Sequence, residues 1–345
     1  MASTNAQQVR SIMLEKKPRI GCATIRHWSY FSPTAQSEMK MSSAKPNLRN
    51  PRVRQWASYL WREAILKSLS PIAPAFSKPE PANWSDARVT AAWLGHSTVL
   101  INFFGVKILT DPVLFARIGI RVPFLFTLGP KRLTAPALTF GELPKIDIIL
   151  LSHAHFDHID WRTLSQFDSS VNVVTAPRTR DLLRWTRLRD VTELKWSEHT
   201  SIGTSSEITK ITAIPVKHWG ARKRHDDYRG YNGYLLERNG RRIIFAGDTA
   251  MTESFAELRR HGEIDLAIMS IGAYNPWIRS HCTPEQAIEM ADDAGARFIM
   301  PVHHQTFRLS FEPLREPIER FAAALAKTPK RIALREIGET FVLPQ

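Results

Sequence analysis

Apolar residues in this chain come in short runs that stop at Gly, Pro, Asn or Asp, a spacing that predicts strands more often than helices. ARVTAAWLG leads into STVLINFF, Gly105 makes a turn, and VKILTDP returns; NGYLLER and RRIIFAGD flank an Asn239-Gly240 hairpin turn. IDIILLS, ITKITAIPV, IDLAIMSIG and RFIMPV read as further strands, several apolar enough to be buried on both faces. Helical signals are fewer. Thr283-Pro284-Glu285-Gln286 has a capping-box pattern with proline at the first helical position, and PLREPIERFAAALAK predicts a second helix. Strands mixed with helices throughout imply a layered α/β architecture in one domain, residues 85–345.

Ahead of that domain the pattern changes. Residues 1–52 lack sustained periodicity and are rich in Ser, Lys, Asn and Pro, which predicts a poorly ordered basic extension. From Val53 to Leu69, Trp56, Tyr59, Leu60, Ala64 and Leu66 recur at helical spacing; this amphipathic helix either packs on the main domain or lies on a membrane surface. A Pro-rich linker, PIAPAFSKPEPANW, completes the 53–84 region.

Composition narrows the class. Of 345 residues 43% are hydrophobic, enough for a sizeable core, and no run of apolar residues is long enough for a spanning helix or a secretory signal. Cys22 and Cys282 cannot build a disulfide framework, so a reducing, cytoplasmic setting is expected, with membrane association open. The net charge of +14 attracts phosphates, whether of nucleic acid or of anionic lipid. Residues 1–50 carry eight Lys or Arg against two acids, a solvated tail or, alternatively, a mitochondrial targeting segment.

Candidate chemistry concentrates in SHAHFDHID, residues 152–160. His153 and His155 alternate, so at a strand end both imidazoles project to one side, while Asp157 and His158 follow in the turn. Burying four such groups without a metal leaves several polar groups to be desolvated and paired. Imidazole nitrogen with carboxylate oxygen suits zinc, manganese or iron, and the lack of thiolates argues against a closed structural zinc site. Three later strands also end in ligand types: ITAIPVKHW in His218, RRIIFAGDT in Asp248, RFIMPVHH in His303 and His304. Isolated His27, His199, His225 and His261 read as surface or internally satisfied residues.

SHAHFDHID resembles the HxHxDH signature of the metallo-β-lactamase fold superfamily, and His218, Asp248 and His303 follow in the order of its remaining ligands. WLGHSTVL, TDP, GPKR, GAYNPW and HCTPEQA are similar to segments of the N-acyl-phosphatidylethanolamine phospholipase D branch, with the ascorbate-6-phosphate lactonase group as a neighbour. The resemblance implies an αββα sandwich of two mixed β-sheets flanked by helices. It also implies two divalent metal ions, most simply zinc with manganese or iron as alternatives. His153, His155 and His218 would serve the first metal, Asp157, His158 and His303 the second, with Asp248 bridging. Relatives commonly read His-Trp-Gly-Thr-Phe at the last ligand, whereas this chain reads His303-His304-Gln305-Thr306-Phe307; matching Thr-Phe selects His303 and strand alternation turns His304 away.

The activity so implied is a phosphodiesterase of phospholipase D type, acting on N-acyl-phosphatidylethanolamine-like phospholipids through a metal-bridging hydroxide, with Asp157 and Asp248 holding metals and relaying a proton. No GxSxG nucleophile elbow offers a serine alternative. Residues 112–129, PVLFARIGIRVPFLFTLG, either receive acyl chains or a bilayer, or tuck into the core. Arg222 in the run 221–224 is a candidate for substrate phosphate, and His96, Trp219, Tyr274 and His304 are candidates for the pocket border. Two other functions stay open: a lactonase or phosphate-ester hydrolase of a small soluble substrate, and a non-catalytic metal-bearing protein that binds nucleic acid or membrane.

Overall fold

A computed structural model describes residues 71–122, 126–203, 208–223 and 225–345. The basic extension, the 53–69 helix, Cys22, His27, Phe124, Leu125 and Arg224 lie outside these residues.

Strands β1 (Val89–Gly95), β2 (Thr98–Phe103) and β3 (Val106–Thr110) form an antiparallel meander whose turn at Gly105 has φ 88°, a conformation glycine adopts without Cβ strain. A small hairpin, β4 (Ile120–Val122) and β5 (Phe126–Leu128), follows. Then come β6 (Ile148–Leu151), helix α1 (Trp161–Leu164), β7 (Asn172–Thr175) and β8 (Val191–Glu193), with β6, β7 and β8 parallel to β3. Asp160, given no ligand role by the sequence, caps α1 by accepting from Thr163 N and Oγ1. The C-terminal β15 (Thr340–Val342) closes the other edge, giving a seven-stranded sheet ordered β15-β1-β2-β3-β6-β7-β8.

The second sheet repeats that plan. β9 (His199–Ile202), β10 (Thr209–Ile214), β11 (Gly233–Arg238) and β12 (Arg241–Phe245) are antiparallel; β13 (Ile264–Ser270) and β14 (Ala296–Val302) add on in parallel. The β11–β12 turn is Asn239-Gly240, both at positive φ as a tight hairpin requires. Between the sheets lies one apolar core, with Leu100, Ile149 and Leu151 from the first sheet and Ile211, Leu236, Phe245 and Met300 from the second. The outer face of the second sheet is covered by α2 (Pro284–Asp293) and α3 (Glu316–Ala324), whose Ala287, Ala291, Ile318 and Phe321 pack on Ile244, Ala267 and Ile299. The predicted capping box is present: Thr283 Oγ1 accepts from Gln286 N, and Gln286 reaches back to Thr283 N.

The architecture is therefore two mixed sheets with helical cover on the second, as expected, although helices are few among the described residues. Strands β7, β8, β9 and β15 were not foreseen; each has only three or four residues, and β9 alternates exposed and half-buried positions at a sheet edge. The apolar 112–129 segment divides: Val113, Leu114 and Ile118 are buried, while Ile120 (58%) and Leu128 (51%) are exposed on the hairpin.

Candidate metal centre

Parallel strands end together, and here the strand ends of both sheets meet at one edge. β6 runs out into His153, His155, Asp157 and His158; β10 leads to His218, β12 to Asp248 and β14 to His303. Close approach is enabled by glycine: Gly247, at φ 60°, faces Ser152 and the Asn232 carbonyl so tightly that a Cβ would lie 2.8 Å from Ser152 Cβ. His96, Asp111 and His303 all hold left-handed backbone, a strain that concentrates where side chains must be aimed.

The donors form two lobes. In the first, His153 Nε2 lies 2.8 Å and His218 Nε2 3.4 Å from His155 Nδ1. In the second, Asp157 Oδ2 lies 3.6 Å from both His158 Nε2 and His303 Nε2. Asp248 Oδ2 stands between them, 3.1 Å from His158 Nε2 and from His303 Nε2 and 3.9 Å from His218 Nε2. His158 Nε2 and Asp248 Oδ1 are buried without a hydrogen-bond partner. Nitrogen and carboxylate donors so placed, aimed inward and unsatisfied, fit divalent metal ions.

Residues behind the donors fix their direction. Asp111 Oδ2 accepts from His158 Nδ1 at 2.6 Å and from Ser152 Oγ at 2.5 Å, leaving His158 Nε2 to face inward. The Ser280 carbonyl does the same for His218, accepting from Nδ1 at 2.7 Å. His96 Nε2 meets Asp157 Oδ2 at 3.0 Å. His281 brings Nδ1, buried and without a hydrogen-bond partner, to 3.9 Å from Asp248 Oδ2. Neither Asp111 nor His281 was singled out from the sequence; their only signal was membership of the TDP and HCTPEQA segments.

Comparison with known proteins places the chain. A family described as the Beta-lactamase superfamily domain matches residues 107–304, more than half of its length. The chain belongs to this superfamily. Among solved structures, the superfamily fold is shared with an isothiocyanate hydrolase from Delia radicum gut bacteria (TM-score 0.60, 16% identity, 74% of this chain and 100% of that one). An uncharacterized Mycobacterium tuberculosis protein is 32% identical, over 77% of this chain and 72% of its own. Two N-acyl-phosphatidylethanolamine-hydrolyzing phospholipases D are also similar. That of Caenorhabditis elegans is 31% identical over 65% of each chain; the mitochondrial one of Saccharomyces cerevisiae is 35% identical over 68% of this chain and 52% of its own. Superfamily and donor set together describe a metal-dependent hydrolase.

Electrostatics in this superfamily site follow from seven imidazoles, six buried and His155 half-buried, around the half-buried Asp157 and buried Asp248 carboxylates. Burial lowers His96 and His155 to about 3 and His218 to about 4, so all three are neutral at pH 7. For His158 and His303 burial is outweighed by the facing carboxylates: Asp248 and Asp157 raise His303 to about 9, and Asp248, Asp157 and Asp111 hold His158 well above its usual value. Asp157 and Asp248 are correspondingly held well below the carboxylate range despite their burial.

The remaining sequence candidates fall in different places. Trp219 borders the first lobe, its ring 4.6 Å from His155 and 4.4 Å from His218. Arg222 lies behind the ligand loop, donating from Nη1 to the carbonyls of Ala154 and Ile159 and stacking on Phe156 at 4.0 Å. Tyr274 turns to α3, where its hydroxyl bonds Glu316 at 2.7 Å. His304 faces away from the lobes and packs on Trp93 at 4.5 Å. Arg132 of the GPKR segment is buried and donates to the carbonyls of Val113, Phe115 and Thr134. No helix among the described residues is long and apolar enough to cross a membrane.

Proposed function

We propose that this protein is a dinuclear metal-dependent phosphodiesterase of phospholipase D type, cleaving N-acyl-phosphatidylethanolamine-like phospholipids. The observation that carries the dinuclear reading is Asp248 Oδ2, set between two lobes of imidazole and carboxylate donors. Similarity to two phospholipases that hydrolyse N-acyl-phosphatidylethanolamine supports the choice of substrate class.

His153, His155 and His218 would hold one divalent ion, most simply zinc; Asp157, His158 and His303 would hold the other, with Asp248 shared. Such ions, when bound, activate water at neutral pH and neutralise phosphoryl charge. The chain's own residues do the rest. Asp111 and the Ser280 carbonyl aim His158 and His218, and His96 orients the Asp157 carboxylate. His155 and Asp157 are the partly exposed members of the set, so the phosphoryl group enters over them, beside Trp219. Asp157 accepts a proton from the attacking water. That proton is the one delivered to the departing oxygen, toward which His281, kept neutral by burial, would offer an N–H as a hydrogen-bond donor. Arg222 positions the ligand loop, since its Nη1 is spent on two carbonyls of that loop.

The test is a substrate panel on purified protein with its metal content measured. Release of phosphatidic acid and an N-acylethanolamine from N-acyl-phosphatidylethanolamine is expected. Metal-replete protein inert on every phospholipid but active on a lactone or a soluble phosphate ester would replace this reading with a small-substrate hydrolase.

A further inference from the structure

Next to the metal loop, the same sheet edge carries a charged surface that the proposed chemistry does not use. Between β7 and β8 the chain reads PRTRDLLRWTRLRD, residues 177–190. Leu182, Leu183, Thr186 and Leu188 are buried, whereas Arg178, Arg180, Arg184, Arg187, Arg189 and Trp185 are all exposed. The turn is held in place. Gly230 N donates to the Pro177 carbonyl at 2.8 Å, Arg229 donates to the Arg178 carbonyl and to both Asp181 oxygens, and Glu193 Oε1 accepts from the N–H groups of Thr179 and Arg180. Asp181 within this stretch and Glu193 just beyond it are thereby committed, leaving Asp190.

None of the five exposed arginines has a carboxylate within ion-pair distance among the described residues. Arg178, Arg180, Arg184 and Arg189 line an open groove of about 610 Å³ with Tyr228 on its wall. Guanidinium groups crowded on one face repel each other until an anion joins them, and their planar fork matches phosphate oxygens. The aromatic residues narrow the choice of phosphate. Trp185 is 72% exposed beside Arg184, and Tyr228 is 48% exposed between Arg178 and Arg229. An indole left in water among cations is suited to the headgroup level of a bilayer, where its apolar body is covered and its N–H stays wet. A soluble anion gives that indole no cover, and a nucleic-acid strand calls for several stacking rings along a track.

We infer that this groove docks the protein on anionic phospholipid headgroups of a bilayer, with Trp185 entering the interface. Thr175 of β7 pairs beside Leu151 of β6, so the docking turn and the metal loop leave the sheet from neighbouring strands, about 5 Å apart at their exits. The inference rests on the phospholipase reading only for its biological sense, since docking needs neither metal nor turnover.

The experiment is co-sedimentation of the full-length protein, with and without metal, on vesicles of phosphatidylcholine alone or with about one lipid in three phosphatidylserine. Binding is expected on the anionic vesicles only, weakening as salt rises to about 0.5 M. Arg180→Glu with Arg184→Glu should lower the partition coefficient about 25-fold or more, at roughly fivefold per arginine. Trp185→Ala should lower it several-fold at both salt concentrations. Both variants should melt as the parent does. Vesicle binding by the double variant equal to the parent's would assign membrane affinity to other basic residues and overturn the proposal, as would a single-stranded oligonucleotide that strips the parent from vesicles at equal phosphate. Docking without phospholipid turnover would sink the phospholipase reading alone; turnover without any effect of the arginines would sink this one alone.

Discussion

The first sheet delivers its donors through one loop, with His153, His155, Asp157 and His158 within six positions after β6. The second sheet has no such loop: His218, Asp248 and His303 arrive one at a time after separate strands that only sheet pairing brings together, and His281 comes from the loop before α2. The loop is a local object, pinned by Arg222 to its own carbonyls and by Asp160 to α1. The second set is a product of register, so a slip of one residue in β12 or β14 would turn Asp248 or His303 to the opposite face.

Changes that strike both sets should cost most. Asp248→Asn removes the carboxylate that both lobes face and should lower kcat/KM by roughly 1,000-fold or more, with metal analysis showing loss at both lobes. A variant that kept full metal content and activity would break the two-lobe description. His153→Ala and His303→Ala should each remove one equivalent of metal and about 100-fold or more in activity, from opposite lobes. Spectra of the cobalt-substituted variants should therefore differ from each other as well as from the parent. Asp111→Asn touches no donor atom facing the lobes, and acts through His158 Nδ1; a loss of about 10- to 100-fold in metal affinity is expected by competition with a chelator.

Proton bookkeeping sharpens the comparison further. In the metal-free protein His303 sits at about 9 and His158 higher than usual, so metal binding at pH 7 must expel protons from the second lobe, while the first lobe, with His155 at about 3 and His218 at about 4, releases none. Metal uptake in weak buffer should acidify the solution at pH 7, and the release should shrink above pH 9. The same values give a sign for stability. An unfolded chain protonates His96, His155 and His218 near pH 6.5, which the folded chain resists until about 3 to 4, so their contribution is present above pH 6.5 and lost as pH falls. His303 works oppositely, stabilising below pH 6.5 and fading as pH rises through about 9. Thermal melts of chelator-treated protein across pH 4 to 9 should show the acid loss clearly. At the small end, Tyr274→Phe breaks only a bond to Glu316 and should cost about 1 kcal/mol of stability with activity within roughly threefold.

Legibility in the sequence follows the same division. A period-two pattern at the end of an apolar run was enough to put His153 and His155 on one side, because both belong to a single strand exit. Asp248 and His303 were visible as strand ends, and the hairpin at Asn239-Gly240 and the Thr283 capping box were local chemistry read directly. Asp111 was not visible as a partner of His158, since their meeting depends on β3 and β6 being parallel with Thr110 beside Leu150, a register that no local pattern encodes. His281 follows no strand and sits in a loop whose only mark is the helix cap two residues on. Arg222 carries the charge of a phosphate ligand but spends its Nη1 on backbone, a use that charge alone does not reveal. The arginine face at 178–189 has the same origin, being a set of outward positions fixed by the buried leucines between them.

The stretch from Ser280 to Gln286 does three jobs within seven positions: a carbonyl that aims His218, an imidazole set against Asp248, and the cap that starts α2. The outer helix is thus also a ruler for the inner edge, and the spacing between His281 and Thr283 is its scale. A single residue inserted there would leave every strand paired and the helix capped, yet displace the imidazole from its carboxylate. Such a protein would pass ordinary tests of folding and still lack one wall of its site, which makes length, as much as composition, a property to guard when this segment is grafted or redesigned.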